Sequence, residues 1–381
     1  MKKIAIIGAS ELQNPLILKA KEMGYETHVF AWECGDIGEK TADYFYPISI
    51  TEKEKILEKC KKINVDAVCT IASDLGNVVA GFVARQMGLP ANSEYCIKVS
   101  SNKYEMRKAF VEHNIAVPRF VEITNNDSLD LLGEIQYPVI VKPTDRSGSR
   151  GITKLDSPKG LDDAVKKAIE LSFEKKAIVE EYIDGNEYSM ECISFEGEHK
   201  MLAVTKKYTT GAPHFIETGH MEPSDLNEQT IEKAKEEISK ALDALDIQMG
   251  VSHSEFKVDN EGNIKIIEIG SRMGGDCIGS DLVRLSTGYD CTKMAIQTAL
   301  GEKPHFEKVK EPSNAAVKYI FSKGDYDNYL ELKKSNPEIV KYSSEILVDE
   351  SDIVDSSSRF GFYIIESKDR DLVKGVMEQN G

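Results

Sequence analysis

At 381 residues the chain is too long for one ordinary domain and suits two or three compact units. Hydrophobic residues make up 41% and charged residues 29%, enough apolar material for real cores in a soluble protein. The 48 basic residues against 64 acidic ones leave a formal charge of -16, a field that repels nucleic-acid backbones and anionic membranes. An anionic nucleotide would need local clusters of Lys, Arg and backbone N–H groups, with a metal.

In chain order, Lys3 to Ile7 is a short apolar run, followed by Gly8-Ala9-Ser10 and a helical stretch from Pro15 to Met23. The run is shorter than the roughly seven apolar residues a signal peptide needs, so it is read as a first strand. Nothing approaches the ~20 apolar residues of a membrane span. Thr27 to Trp32 reads as a second strand, Ala67 to Ile71 as another, and Asn77 to Met87 as a helix. This βαβ rhythm predicts a Rossmann-like unit over residues 1–98 with a parallel sheet. It lacks G-x-G-x-x-G, so Gly8 and Ser10 are read as a plain strand-to-helix turn and not a dinucleotide site. Trp32 is read as packing.

From Ser100 the texture changes. A helix is expected over Asn102 to His113, a strand over Val139 to Lys142, a helix over Leu161 to Phe173 and a strand over Ala177 to Glu181. Glu187 to Thr205 reads as two antiparallel strands around the turn Phe195 to Glu198. Asp225 with Glu228 resembles a capping pair, opening a helix whose face carries Ile231, Ala234, Ile238, Leu242 and Leu245. After Glu302, strand signals at Ala315 to Phe321 and Arg359 to Ile365 suggest a small α+β appendage. The seven cysteines are scattered, with no metal-like spacing, and read as reduced, mostly buried thiols of a cytoplasmic enzyme. Cys277 has no nearby base in sequence and is read as packing.

Three segments carry chemistry. Lys142 ends a strand and is followed by Asp145-Arg146-Ser147-Gly148-Ser149-Arg150-Gly151, where small residues let N–H groups approach phosphate and the lysine adds a point charge. Glu180 to Glu187 is a strand running into a turn; backbone groups near Glu181 and Ile183 could meet an adenine edge, and Glu187 could accept from ribose hydroxyls. His253-Ser254-Glu255-Phe256-Lys257 and Ile264 to Arg272 read as a hairpin with a carboxylate on each arm. Alternation puts His253, Glu255 and Lys257 on one face. Glu268 joins that face only if the register pairs it with Glu255 or a residue two away, which needs an even loop or a bulge. Two such carboxylates would share a Mg²⁺ ion with nucleotide phosphates. Arg272 leaves the strand where a transferring phosphoryl group needs a cation.

Lys103, the Lys142 strand with its Gly/Ser loop, the Glu180 to Glu187 hinge and the Glu255/Glu268/Arg272 hairpin occur in the order found in ATP-grasp ligases. The chain resembles that superfamily from residue 1 to about 300. The runs Glu268 to Asp276 and Phe215 to His220, and His253 two residues before Glu255, resemble the L-amino-acid ligase (dipeptide synthetase) branch.

The resemblance implies an ATP-grasp fold of α/β and α+β class. The Rossmann-like domain at 1–98 would precede a small lobe with the glycine-rich loop at 99–185, a large lobe with the metal hairpin at 186–301, and a C-terminal subdomain at 302–381. It implies Lys103, Lys142, Ser147, Gly148, Ser149 and Gly151 around the ATP phosphates, and Glu180, Glu181, Ile183 and Glu187 around the nucleoside. Glu255 and Glu268 would hold Mg²⁺, with Mn²⁺ as a substitute. Arg272 and Lys142 would act in catalysis, with His220, Arg272, Gly274 and Gly275 near small-molecule carboxylate and amine substrates. Many relatives carry Asn where this chain has Gly270, which leaves the third protein ligand to water or phosphate oxygen. A ligase of nucleotide or carbamoyl-phosphate metabolism, and a catalytically inactive ATP-binding regulator, stay open, as does a homodimer.

Overall fold

A computed structural model describes residues 1–212, 215–349 and 355–379. The chain begins with β1 (Lys3–Ile7), α1 (Asn14–Glu22), β2 (Glu26–Phe30), α2 (Ile37–Thr41), β3 (Tyr44–Tyr46), α3 (Lys53–Ile63), β4 (Ala67–Cys69), α4 (Asp74–Gln86) and α5 (Glu94–Ser101). The strands pair in parallel in the order β3-β2-β1-β4. Ile4, Ala5, Ile6 and Ile7 are all fully buried, divided between two apolar clusters, so β1 reads as a continuous apolar run. The Ser73 side chain caps α4 by accepting from Gly76 N–H.

Next come α6 (Lys103–Glu112), β5 (Phe120–Thr124), β6 (Val139–Pro143), β7 (Thr153–Leu155), α7 (Leu161–Leu171) and β8 (Lys176–Glu181). The four strands form an antiparallel sheet ordered β5-β8-β6-β7. Leu161, Ala164, Val165, Ala168 and Ile169 on one side of α7 pack against it.

The remainder is β9 (Asn186–Phe195), β10 (Glu198–Thr209), β11 (Glu217–Glu222), α8 (Glu228–Ala244), β12 (Met249–Val258), β13 (Ile264–Gly270), α9 (Val283–Thr287), α10 (Cys291–Ala299), β14 (Asn314–Ile320), α11 (Lys323–Ser335), β15 (Val340–Ser343), β16 (Gly361–Ser367) and α12 (Arg370–Glu378). All eight strands join one antiparallel sheet, β13-β12-β9-β10-β11-β14-β16-β15. The α+β segment after residue 302 therefore does not stand apart: β14 pairs with β11 and continues the sheet. Ala234, Ile238, Leu242 and Leu245 of the α8 segment are buried in a core shared with β9, β12 and β13. Two local expectations are corrected. The cap of α8 is Asn227, which accepts from Thr230 N–H, whereas Asp225 accepts from the Tyr188 hydroxyl and the Lys206 ammonium. Trp32 is not packing: it is 63% exposed past the end of β2. Among the described residues no helix is long and apolar enough to cross a membrane.

Candidate functional site

The hairpin β12–β13 sits at one edge of the large sheet, and its register settles the question that alternation left open. Glu255 pairs directly with Glu268, His253 with Gly270, and a bulge beside Glu255 shifts the pairing so that Phe256 faces Ile266. The bulge absorbs one residue and brings the two carboxylates side by side. Both line one cleft between the two antiparallel sheets, an open space of about 1080 Å³.

Cations line the same cleft. Lys103, the first residue of α6, is buried, and its Nζ donates to Glu268 Oε1 at 2.9 Å and to the Arg146 carbonyl at 2.7 Å. Lys142 on β6 and Arg107 on α6 both pair with Glu180; the Arg107 Nε–Glu180 Oε2 distance is 3.0 Å. Burial alone would raise the Glu180 carboxyl, but the two cations outweigh it and hold it at about 2. Burial pushes the Lys142 ammonium below its usual value. Arg107 is a structural cation that sequence spacing did not single out; its Nη2 also donates to the Ile267 carbonyl at 2.9 Å.

Ser147, Gly148, Ser149 and Gly151 lie on the turn between β6 and β7, and the first three line the cleft. Gly148, Ser149 and Gly151 have φ of 70°, 56° and 74°. Ser149 Oγ donates to the Phe215 carbonyl at 3.1 Å, which docks the turn on the segment before β11. Glu181 and Ile183 follow on the far rim. Lys257 Nζ donates to the Ile183 carbonyl at 3.1 Å, and the Glu181 carboxylate accepts from Gln136 N–H at 3.1 Å.

Glu187 faces the same cleft, where it meets a residue the motif reading missed. Lys207 on β10 is buried, with its Nζ 2.5 Å from Glu255, 3.2 Å from Glu187 and 3.7 Å from Glu217. Burial opposes its charge, yet the three carboxylates raise its pKa well above normal. Only the pairing of β10 with β9 and β11 brings these residues together, so no local motif could have shown it.

His253 is held between Glu191, through Nδ1, and Glu255 Oε1, 3.2 Å from Nε2. Burial disfavours the imidazolium, but Glu191 and Glu255 raise its pKa to about 9. Glu191 is fully buried and accepts from Gly274 N–H at 2.9 Å. A Cβ on Gly274 would fall 2.7 Å from His253 Nδ1 and 2.8 Å from Glu191 Oε1, so this position has no room for a side chain. Gly275 has no such crowding, its nearest neighbour being Ala72 at 3.5 Å.

Arg272 leaves β13 and pairs with Asp74 in the first turn of α4. Its guanidinium lines a second cavity of about 940 Å³ that opens from the first beside Ser147 and Glu255. His220, on β11, lines this second cavity. It is 1% exposed, its Nε2 is 3.5 Å from Asp276 Oδ2, and among the described residues neither ring nitrogen has a hydrogen-bond partner. Burial lowers its pKa against the opposing pull of Asp276. Cys277 is packed among Ile278, Leu282 and Val317, and burial pushes its thiol well up, which matches its reading as packing.

Glu255 and Glu268 suit a hard divalent cation: two adjacent carboxylates with nucleotide oxygens completing the shell. Among the described residues no group of three or more His, Cys, Asp or Glu could hold a metal. A cation held by this pair alone would need its other ligands from outside the protein.

Residues 135–280 match the model of the ATP-grasp domain. The carbamoyl phosphate synthase large chain of Thermoanaerobacter sp. (strain X514) is 27% identical over 266 residues, covering 68% of this chain and 24% of that protein. This chain thus spans about a quarter of that relative's length. The alanine–anticapsin ligase of Bacillus subtilis (strain 168) is 26% identical over 277 residues, covering 63% of this chain and 58% of the relative. Among solved structures, an L-amino acid ligase from Bacillus licheniformis superimposes with a TM-score of 0.84 at 23% identity, covering 99% of this chain and 96% of that one. A phosphoribosylglycinamide synthetase from Anaerococcus prevotii gives 0.75 at 23% identity, covering 98% and 96%. The chain thus has the ATP-grasp fold, and its residues 135–280 match the ATP-grasp domain.

Proposed function

We propose that this chain is an ATP- and Mg²⁺-dependent ligase that activates an amino-acid carboxylate as an acyl phosphate and joins it to an amine. The direct pairing of Glu255 with Glu268, with Lys103 bonded to Glu268 and Lys142 lining the same cleft, carries this reading. Similarity to the L-amino acid ligase and the alanine–anticapsin ligase supports the substrate class.

Glu255 and Glu268 would hold the metal, which supplies charge neutralisation at the phosphates. Lys103 and Lys142 balance further phosphate charge, and the Ser147 to Gly151 turn covers it with N–H groups. The nucleoside lies along Glu180 to Glu187. A carboxylate oxygen attacks the γ-phosphorus, and the β–γ bridging oxygen leaves with ADP. The amine nitrogen then attacks the acyl carbon, and phosphate departs with the C–O electron pair. Arg272 meets the negative charge that develops at both steps, and Asp74 fixes its orientation. The His220 imidazole lines the same cavity and is placed to take the proton the amine loses. Seven free cysteines, six of them buried, fit a reducing cytoplasm. Mn²⁺ would serve in place of Mg²⁺, and a homodimer is the proposed assembly.

The test is ADP release across paired amino acids, with mass spectrometry of the product. ADP release that ignores amino acids would sink the proposal. Similarity to carbamoyl phosphate synthase large chains favours a second reading, a ligase using bicarbonate, and bicarbonate-dependent ADP release would reveal it.

A further inference from the structure

Glu255 and Glu268 are paired across the hairpin, but the protein treats their oxygens differently. Glu255 Oε1 has two partners, the Lys207 ammonium at 2.5 Å and His253 Nε2 at 3.2 Å. A carboxylate oxygen has two lone-pair directions, so both of those on Oε1 are taken. Among the described residues no donor reaches Oε2. Glu268 meets one donor, Lys103 Nζ, which lies 2.9 Å from its Oε1. One carboxylate therefore offers a single oxygen, and the other offers more.

Neither donor to Glu255 is loose. Glu191 grips the far side of the His253 ring through Nδ1, and Gly274 N–H in turn donates to Glu191 at 2.9 Å. With a carboxylate oxygen facing each ring nitrogen, both nitrogens act as donors. Lys207 is buried, and its Nζ also lies 3.2 Å from Glu187 on β9. Glu217 on β11 is 3.7 Å from the same Nζ, and its other oxygen accepts from Arg359 Nη2 at 3.2 Å. The brace on Oε1 is thus anchored on three neighbouring strands of the large sheet. Glu255 itself lines both cavities, so it can meet an ion at their junction.

The difference between the oxygens selects among ions. Mg²⁺ demands a near-octahedral shell at about 2.0–2.1 Å, whereas Ca²⁺ gathers about six to eight oxygens at about 2.3–2.6 Å and readily takes both from one carboxylate. We propose that Lys207 and His253 are positioning residues that close Glu255 Oε1 to metal, so that the site accepts Mg²⁺ or Mn²⁺ with a nucleotide and disfavours Ca²⁺. The inference rests on the nucleotide-and-metal reading of the cleft and on no particular carboxylate or amine.

The experiment counts bound Mn²⁺ by electron paramagnetic resonance on the full chain with ADP, then displaces it with Mg²⁺ or Ca²⁺. Wild type should favour Mg²⁺ over Ca²⁺ about tenfold more than free ADP does. His253→Ala releases one lone pair of Oε1 and should shrink that margin to about twofold. His253→Gln, whose amide nitrogen can reach the place of Nε2, should keep most of it. Lys207→Met alone would leave three carboxylates without their shared ammonium, so it is combined with Glu217→Gln, and Arg359 keeps Asp276 as a partner. This double variant should lose the margin as His253→Ala does. If both variants weaken Mg²⁺ and Ca²⁺ by the same factor, the brace is only structural and the inference is overturned. A wild-type margin no wider than that of free ADP overturns it whatever the variants do, and leaves the ligase reading standing. Mn²⁺ that does not bind with ADP at all would sink the metal assignment of Glu255 and Glu268, and both readings with it.

Discussion

Arg272 Nε and Nη2 bind Asp74 Oδ1 and Oδ2 at 2.7 and 3.2 Å, tying the end of the hairpin strand β13 to the first turn of helix α4. Burial opposes charge on Asp74, but Arg272 and then Lys103 outweigh it and hold its pKa down. A guanidinium fixed at two points presents its remaining N–H groups in one direction. Helix α4 thus orients the guanidinium proposed to act at the reacting atoms.

Asp74→Asn should keep the fold and lower kcat about tenfold or more, with a smaller change in KM for ATP, because it loosens Arg272 most and meets the nucleotide cleft only through Ser147 and Lys103. Steady-state ADP release checks this. A rise in KM for ATP with unchanged kcat would place Asp74 in nucleotide binding instead.

Glu268→Gln removes one of the paired carboxylates and leaves Lys103 without its carboxylate partner. ADP release should fall about a hundredfold, and excess Mg²⁺ should recover part of it. Arg272→Ala should cost a similar factor that no metal concentration restores. Near wild-type turnover in either variant would contradict the site assignment.

Gly274→Ala forces a methyl group into the contact between Glu191 and His253. Overpacking of this kind costs about 1–3 kcal/mol, so the thermal midpoint should drop by several degrees. Gly275→Ala, where the nearest neighbour of an added Cβ is 3.5 Å away, should leave the midpoint close to wild type. Equal shifts for the two would mean the Glu191–His253 contact is easily displaced.

Glu222 is fully buried on β11, with Thr205 and Ser286 hydroxyls donating to its two oxygens at 2.7 and 2.6 Å. Burial raises its pKa from 4.5 to about 8 against those donors. In that window the folded chain holds a proton that the unfolded chain has lost. The Glu222 contribution is therefore full below about pH 4.5 and declines as pH rises to about 8. Glu222→Gln keeps the shape without the titration. Denaturant midpoints should show wild type losing a few kcal/mol relative to the variant between pH 5 and 8. Parallel pH profiles would mean Glu222 is charged throughout.

Much of the fold was legible because local signals agree with it. The apolar run of Lys3–Ile7, the turn at Phe195 to Glu198 and the α8 stripe each state their structure within a few residues. Glu255 and Glu268 were readable as a pair, but their shared face hung on a bulge that alternation cannot reveal. Lys207, Glu191, Asp74 and Arg359 were not legible, since each meets its partners through sheet pairing or packing between segments far apart in sequence. Trp32 misled for another reason: large aromatics are usually buried, and this one sits on a loop past the end of an inner strand.

The continuous eight-stranded sheet limits how the chain can be cut. A fragment ending at residue 301 would keep the nucleotide cleft, but β11 would lose β14 and become a bare edge, open to stray pairing with other chains. The smallest piece worth expressing is therefore larger than the matched 135–280 region: the tail is a splint for the strand that carries Glu217 and His220.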